Sequence, residues 1–379
     1  MIQTYDGGSL PFTGKWDTFL RGAQVTPFLE ALHPARYAGD KQSFARAVKA
    51  GFLDKVRAGI DIPTYPQFRD MNEMFLNAIT GIEKTGQGYV VRGRPVIRRD
   101  GLLIPEVRAL KEHSREIHEE AGESIRIRLC VTGPYTLASL FPQRSSPLLS
   151  QLGTVISQFV EGNVFKNRFG GVALVAVDEP VFGFVDDPLL DQGAEGRNEL
   201  LGAWEQICHT AKAKGAQACL HLHNTSNPLY WQIRSLDVVE SHVDDALYTA
   251  QRTRRLLEEE DKFLKASIAT TRFDVLIRNV IQQTGNMDEA ALNAQVGETW
   301  TALRKAQRSP IDFLERVEIM VRRLRKIVDY FGVDRVPYAG PECGLQSFPT
   351  YASALECLRR TALAAKTVNS ELTLLPPEG

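Results

Sequence analysis

No apolar run in these 379 residues approaches the ~18 that would suggest a transmembrane helix. The opening stretch, MIQTYDGGSLPF, has neither the basic region nor the apolar region of a signal peptide. Neither sign of charge is in excess: Lys+Arg number 45 and Asp+Glu 46, a net charge of -1. That balance argues against nucleic-acid binding through a basic face and against an acidic disordered tail. Cysteine is sparse, five in all, odd in number and widely spaced, so a disulfide framework is not expected. Neither a domain linker nor a short tandem repeat is visible. Apolar residues make up 43% and charged residues 24%, ordinary values for a globular protein. A reduced, cytoplasmic protein with a large core is the expectation, without membrane or nucleic-acid partners.

What is present is an alternation. Short β-branched segments bounded by turn residues recur, separated by stretches with helical spacing such as 197–215, 246–261 and 309–331. The strand-like segments end at Gly8-Ser9-Leu10-Pro11, near Gln67, at Thr132-Gly133-Pro134, at Asp178-Glu179-Pro180 and at His223-Asn224-Thr225. The last three end at Glu240 to Asp244, at Thr271-Arg272 and at Cys343. Eight strands alternating with helices predict an α/β fold, a (β/α)8 TIM barrel filling residues 1–379 as one domain. An open doubly wound sheet is the structural alternative. Two excursions are expected. Residues 88–101 (GYVVRGRPVIRRDG) read as a β-hairpin after strand 2, and 137–163 as a lid or helical insertion after strand 3. The charged run 252–261 reads as a solvated helix face.

In such a barrel the chemistry sits at the C-terminal ends of the strands. Those ends carry Ser9, Gln67, Thr132, Asp178, Glu179, His221, His223, Glu240, His242, Asp244, Arg272, Glu342 and Cys343. The mixture of His, Cys and carboxylate suits zinc, which leaves one position open in a catalytic site. Cys219, His221 and His223 share a strand face, but Cys219 lies roughly 13 Å from the strand end at about 3.3 Å per residue. These three therefore cannot hold one ion. Cys219 and His221 read as barrel-interior residues, the histidine satisfied by a neighbour. Cys130, Cys208 and Cys357 read as structural. Cys343, in a Gly-flanked turn, and Asp178, after a fully apolar strand, read as functional.

Taken in order, Gly8-Ser9-x-Pro11, residues 59–75, Thr132-Gly133-Pro134-x-Thr136, Asp178-Glu179-Pro180, His221-x-His223 and Cys343-Gly344-Leu345 resemble the catalytic barrel of the cobalamin-independent methionine synthase family. The resemblance covers about residues 8–368 and is to the single-barrel form. It implies one zinc ion per chain, no bound organic cofactor, and a homocysteine-like thiol that attacks a methyl group. The family's zinc ligands are a His-x-Cys pair, a Glu and a later Cys. His223 and Cys343 match the histidine and the later cysteine. Thr225 stands where the first Cys is expected, and His242, flanked by Glu240 and Asp244, where the Glu is expected. The implied site is His223, Cys343 and one of His242 or Glu240, with the substrate thiol fourth. Asp178 matches the residue holding the substrate amine. Ser9, Gln67 and Thr132 complete the implied substrate pocket. Residues 269–274 carry no histidine to protonate a departing pterin, so the implied donor is a methylated corrinoid or corrinoid protein rather than a methylfolate. Two alternatives remain: thiol alkylation like that of epoxyalkane:coenzyme M transferase, with Arg272 or Arg69 on the sulfonate, or a barrel with an altered or lost zinc site acting as a lyase or binding subunit.

Overall fold

A computed structural model of the chain describes residues 1–283, 285 and 287–374. The strands are β1 Gln3–Thr4, β2 Ile79–Thr85, β3 Gly88–Ile97, β4 Ile125–Thr132, β5 Lys166–Asn167, β6 Gly170–Glu179, β7 Gln217–Leu222, β8 Val238–Glu240, β9 Phe263–Ala269 and β10 Tyr338–Pro341. Seven pair in parallel in the order β1-β10-β9-β8-β7-β6-β4, and short β5 adds an antiparallel edge to β6. The sheet curls in the manner of a TIM barrel. Its two ends are joined by the segment 62–67, which makes parallel bridges just after β1 at Tyr5↔Ile62, to β4 at Thr64↔Arg128, and from Gln67 to Ser9. That segment contains Pro63 and Pro66, which have no N–H to give a ladder. It therefore bridges at single residues where a full strand would pair continuously.

The sequence pattern accounts for these elements. In β6 nearly every residue from Val172 onward is buried, as expected for a parallel strand covered on both faces. The helix Val317–Phe331 buries Met320, Val321, Leu324, Ile327, Val328 and Phe331, an i, i+1, i+4, i+7 spacing that makes one apolar stripe. Residues 137–163 form chiefly the helix Ser146–Asn163, which connects β4 to β6. It packs against the helix Glu195–Ala213 so closely that a Cβ on Gly153 would lie 2.3 Å from that of Ala203. Its buried leucines, Val155, Ile156 and Phe159 make it part of the wall, not a lid. The hairpin has a wider extent than 88–101. β3 is its second arm, and β2 is the first, paired antiparallel from Thr85↔Gly88 to Ile79↔Ile97.

Candidate metal centre

Parallel register sets one row of side chains across the barrel. Thr132 of β4 pairs with Asp178 of β6, Asp178 with His221 of β7, and His221 with Glu240 of β8. Residues two apart on a strand face the same way. His223 therefore stands above His221, their ring centroids 5.1 Å apart, and His242 stands above Glu240, its ring 3.9 Å from that of His223. Cys343, just beyond β10, brings its Sγ to 3.5 Å from Nε2 of His223. One ligand atom from each of His221, His223, His242 and Cys343 lies within 4.8 Å of all the others, the one such group among the described residues.

The loops that carry these donors are tied down. Glu342, fully buried, accepts from the amides of Val243 and Thr271 and from Nε of Arg272 at 2.9, 2.9 and 3.3 Å. One carboxylate thus fixes the turns after β8, β9 and β10, and with them His242 and Cys343. At the other side Lys55, buried, donates to Asp6 Oδ2, Gly8 O and Thr64 O at 2.6, 2.7 and 3.0 Å. This holds the turn 7–9, where Gly8 has φ +105, a left-handed value that favours glycine. The turn lies backbone to backbone against Cys343-Gly344: a Cβ on Gly7 would sit 2.5 Å from the Gly344 nitrogen.

The electrostatics follow from burial and neighbours. Burial alone would raise the Cys343 thiol, but the neighbouring imidazoles of His221 and His242 draw it down to about 6. His221 is opposed by burial yet is pushed up to about 10 by Cys343 and Glu240. Burial, with the His221 charge beside it, pushes His223 down to about 3, and burial also lowers His242. The neighbours thus favour charge on Cys343 and His221, while burial disfavours it on His223 and His242. Nε2 of His242 is buried with no hydrogen-bond partner. An orphaned imidazole nitrogen, a thiolate and two further imidazoles are a donor set that fits zinc. A tetrahedral zinc would set donors about 3.5 Å apart, close to the observed sulfur–nitrogen spacing.

Of the other residues expected at the site, Asp178 is buried within the row. Its Oδ1 has no hydrogen-bond partner, and its nearest cation is Arg128 at 3.6 Å. Burial, more than any neighbour, raises its carboxyl to about 6. Adjacent Glu179 is different in kind. It accepts from Tyr135 N, Thr136 N, Thr136 Oγ1 and Trp204 Nε1, and binds the barrel to its outer helices. Thr132 spends its hydroxyl on the Met71 carbonyl at 2.6 Å. Gln67 is buried with its Nε2 3.5 Å from Met74 Sδ, and Ser9 Oγ accepts from Gln346 N at 3.3 Å. The Thr225 hydroxyl is hydrogen-bonded to Asp245 and lies outside the donor group. Asp244 is exposed. Arg69 is bound through two nitrogens to Glu106 at 2.7 Å, while Arg272 keeps about half its side chain exposed.

Two placements differ from the sequence reading. His221, taken there as a satisfied interior residue, belongs to the donor group. Its nearest acceptor on the other side is Glu240. Glu240, offered there as a ligand, stands behind His221. It is paired with Arg128 at 2.7 Å and Lys265 at 2.9 Å, and is not among the four donors. The signal that could have found His221 was the i, i+2 spacing to His223. Arg128 and Lys265 carried no local signal at all.

The fold has solved counterparts. A B12-independent methionine synthase from Shewanella sp. W3-18-1, solved with selenomethionine, superimposes with a TM-score of 0.61 over 99% of this chain and 100% of its own, at 14% identity. A candidate vitamin B12-independent methionine synthase from Listeria monocytogenes gives a TM-score of 0.55 over 97% and 99%, at 13% identity. At such identities the likeness is one of fold. No family model matches the sequence, and no curated protein matches it.

Proposed function

We propose that this chain, as a single (β/α)8 barrel, transfers a methyl or alkyl group to the sulfur of a homocysteine-like thiol at a zinc ion held by His223, His242, Cys343 and His221. The observation that carries the reading is the convergence of these four donors beside a buried carboxylate, Asp178, whose Oδ1 makes no hydrogen bond and has Arg128 at 3.6 Å. Zinc, when bound, would lower a thiol's pKa from about 8.5 and keep it as the nucleophilic thiolate, the thiol entering as a fifth neighbour where the chain supplies all four donors. The chain's own residues supply the rest. Asp178 receives the substrate ammonium. Glu342 holds the His242 and Cys343 turns in register, and Ser9, Gln67 and Thr132 are assigned to the substrate side of the centre. The relatives in fold described as methionine synthases support the same substrate class. The donor in this reading is not a methylfolate, because residues 269–274 carry no histidine, and a methylated corrinoid takes its place.

The test is metal content per chain by plasma mass spectrometry, with Cys343→Ala beside the unsubstituted protein. About one zinc per chain, lost in the variant together with homocysteine methylation, supports the reading. A chain that takes up no zinc from zinc-supplemented buffer overturns it.

A second reading has its own observation. Four protein donors are the number carried by a closed, structural zinc site. X-ray absorption on the zinc-loaded protein separates the two. Homocysteine adds a second sulfur neighbour in the first reading and leaves the Cys343 sulfur alone in the second.

A further inference from the structure

Glu240 is buried at the end of β8, 1% exposed, and the proposed reaction gives it no role. Its surroundings are unusual. Arg128 Nη2 of β4 lies 2.7 Å from Oε1 and Lys265 Nζ of neighbouring β9 2.9 Å from Oε2, both cations buried. His221 Nδ1, buried and without a hydrogen bond, has this same Oε1 3.4 Å away. A carboxylate clamped between a guanidinium and an ammonium is an acceptor only. An imidazole nitrogen facing it must therefore carry a proton, and the opposite nitrogen is the one left for a metal.

We propose that Glu240 is a positioning residue for the metal centre: it accepts the Nδ1 proton of His221 and so aims Nε2 of that ring at the group formed by His223, His242 and Cys343. Arg128 and Lys265 hold the carboxylate in place, so the hold of His221 on the metal is set by residues of three other strands. Carboxylates behind ligating histidines act this way generally, and their loss weakens metal binding by about 10–100-fold. The inference rests on the zinc reading above and adds to it a fixed tautomer and an outer partner.

The experiment uses the full chain loaded with zinc, with affinity read by competition against a chromophoric chelator. Glu240→Gln is expected to bind zinc about 10–100-fold more weakly, and to change nothing further in a His221→Ala background. Unchanged affinity in Glu240→Gln, or an equal loss in both backgrounds, overturns the inference. Removing the charge leaves Arg128 and Lys265 unbalanced, so Glu240→Gln is paired with a measurement that needs no substitution. Nitrogen NMR of 15N-histidine-labelled zinc protein is expected to show His221 protonated at Nδ1 and metal-bound at Nε2. A ring bound through Nδ1, or free of the metal, overturns the inference and leaves the zinc reading standing. An unsubstituted chain that binds no zinc overturns both.

Discussion

Cys219 and Cys343 both belong to the barrel interior, and they have opposite chemistry. Cys219 sits deeper, 3.5 Å from the Tyr5 hydroxyl. Burial first, and the Glu240 charge second, drive its thiol well above the ordinary range. Cys343 lies at the mouth among three imidazoles, and its thiol falls to about 6. Burial acts on both in the same direction. What differs is the neighbours: Cys343 faces imidazoles, whereas Cys219 faces the Glu240 carboxylate. The pair shows that depth along the barrel axis, set by two or three residues of strand, divides packing from reactivity.

The sharpest way to break that contrast is Cys343→Ala. Metal binding and thiol alkylation are expected to vanish, with far-UV circular dichroism unchanged. Retained activity would mean that the mouth cysteine has no chemical role. Next in size is Asp178→Asn, which removes a charge-assisted hydrogen bond worth about 1.5–3 kcal/mol. Calorimetric affinity for homocysteine is expected to fall roughly 10- to 150-fold. Because the Asp178 carboxyl titrates near 6, binding to the unsubstituted chain should hold above that pH and weaken below it, as the carboxylate gains a proton. An unaltered affinity in Asp178→Asn would mean that the substrate is not held by its amine.

The cysteines can also be compared directly. In metal-stripped protein, iodoacetamide followed by peptide mapping should mark Cys343 first, with a rate half-maximal near pH 6. The thiolate is the nucleophile, so the rate rises with pH through that value and then levels. Cys130 and Cys357, pushed up by burial to about 12, should remain unlabelled in the folded chain at neutral pH. Equal labelling of all would erase the distinction. The smallest effect is expected of Cys219→Ala. Its zinc content should match the unsubstituted chain while urea denaturation registers a loss of about 1 kcal/mol. Lost zinc there would join the deep layer to the centre.

Much of this was legible in the sequence because the informative residues end recognisable segments. Apolar, β-branched runs stop at Thr132, at Asp178 and Glu179, and beside His223, and the turn chemistry around Cys343 marks it out. Segment 62–67 was recognisable by its place in the alternation, though its prolines reduce it to single bridges. The placements that differ from the sequence pattern depend on neighbours far away in the chain. Glu240 looks like a ligand until Arg128, 112 residues earlier, and Lys265 are seen to claim it. His221 looks like core until Cys343 arrives from the last strand. Period-two alternation tells which face a side chain takes, and it says nothing of which other strand meets it there.

That the first strand pairs with the last has a consequence for synthesis. β1 has no neighbour on one side until β10 emerges, and the sulfur of Cys343 follows His223 by 120 residues. At about 5–20 residues per second, a ribosome takes roughly 6–24 s to cross that interval. A nascent chain spends that time with its imidazoles made, its thiolate missing and its wall open. The centre is thus a late product of translation, and a chain halted before residue 343 carries a partial set of donors with no barrel closed around them.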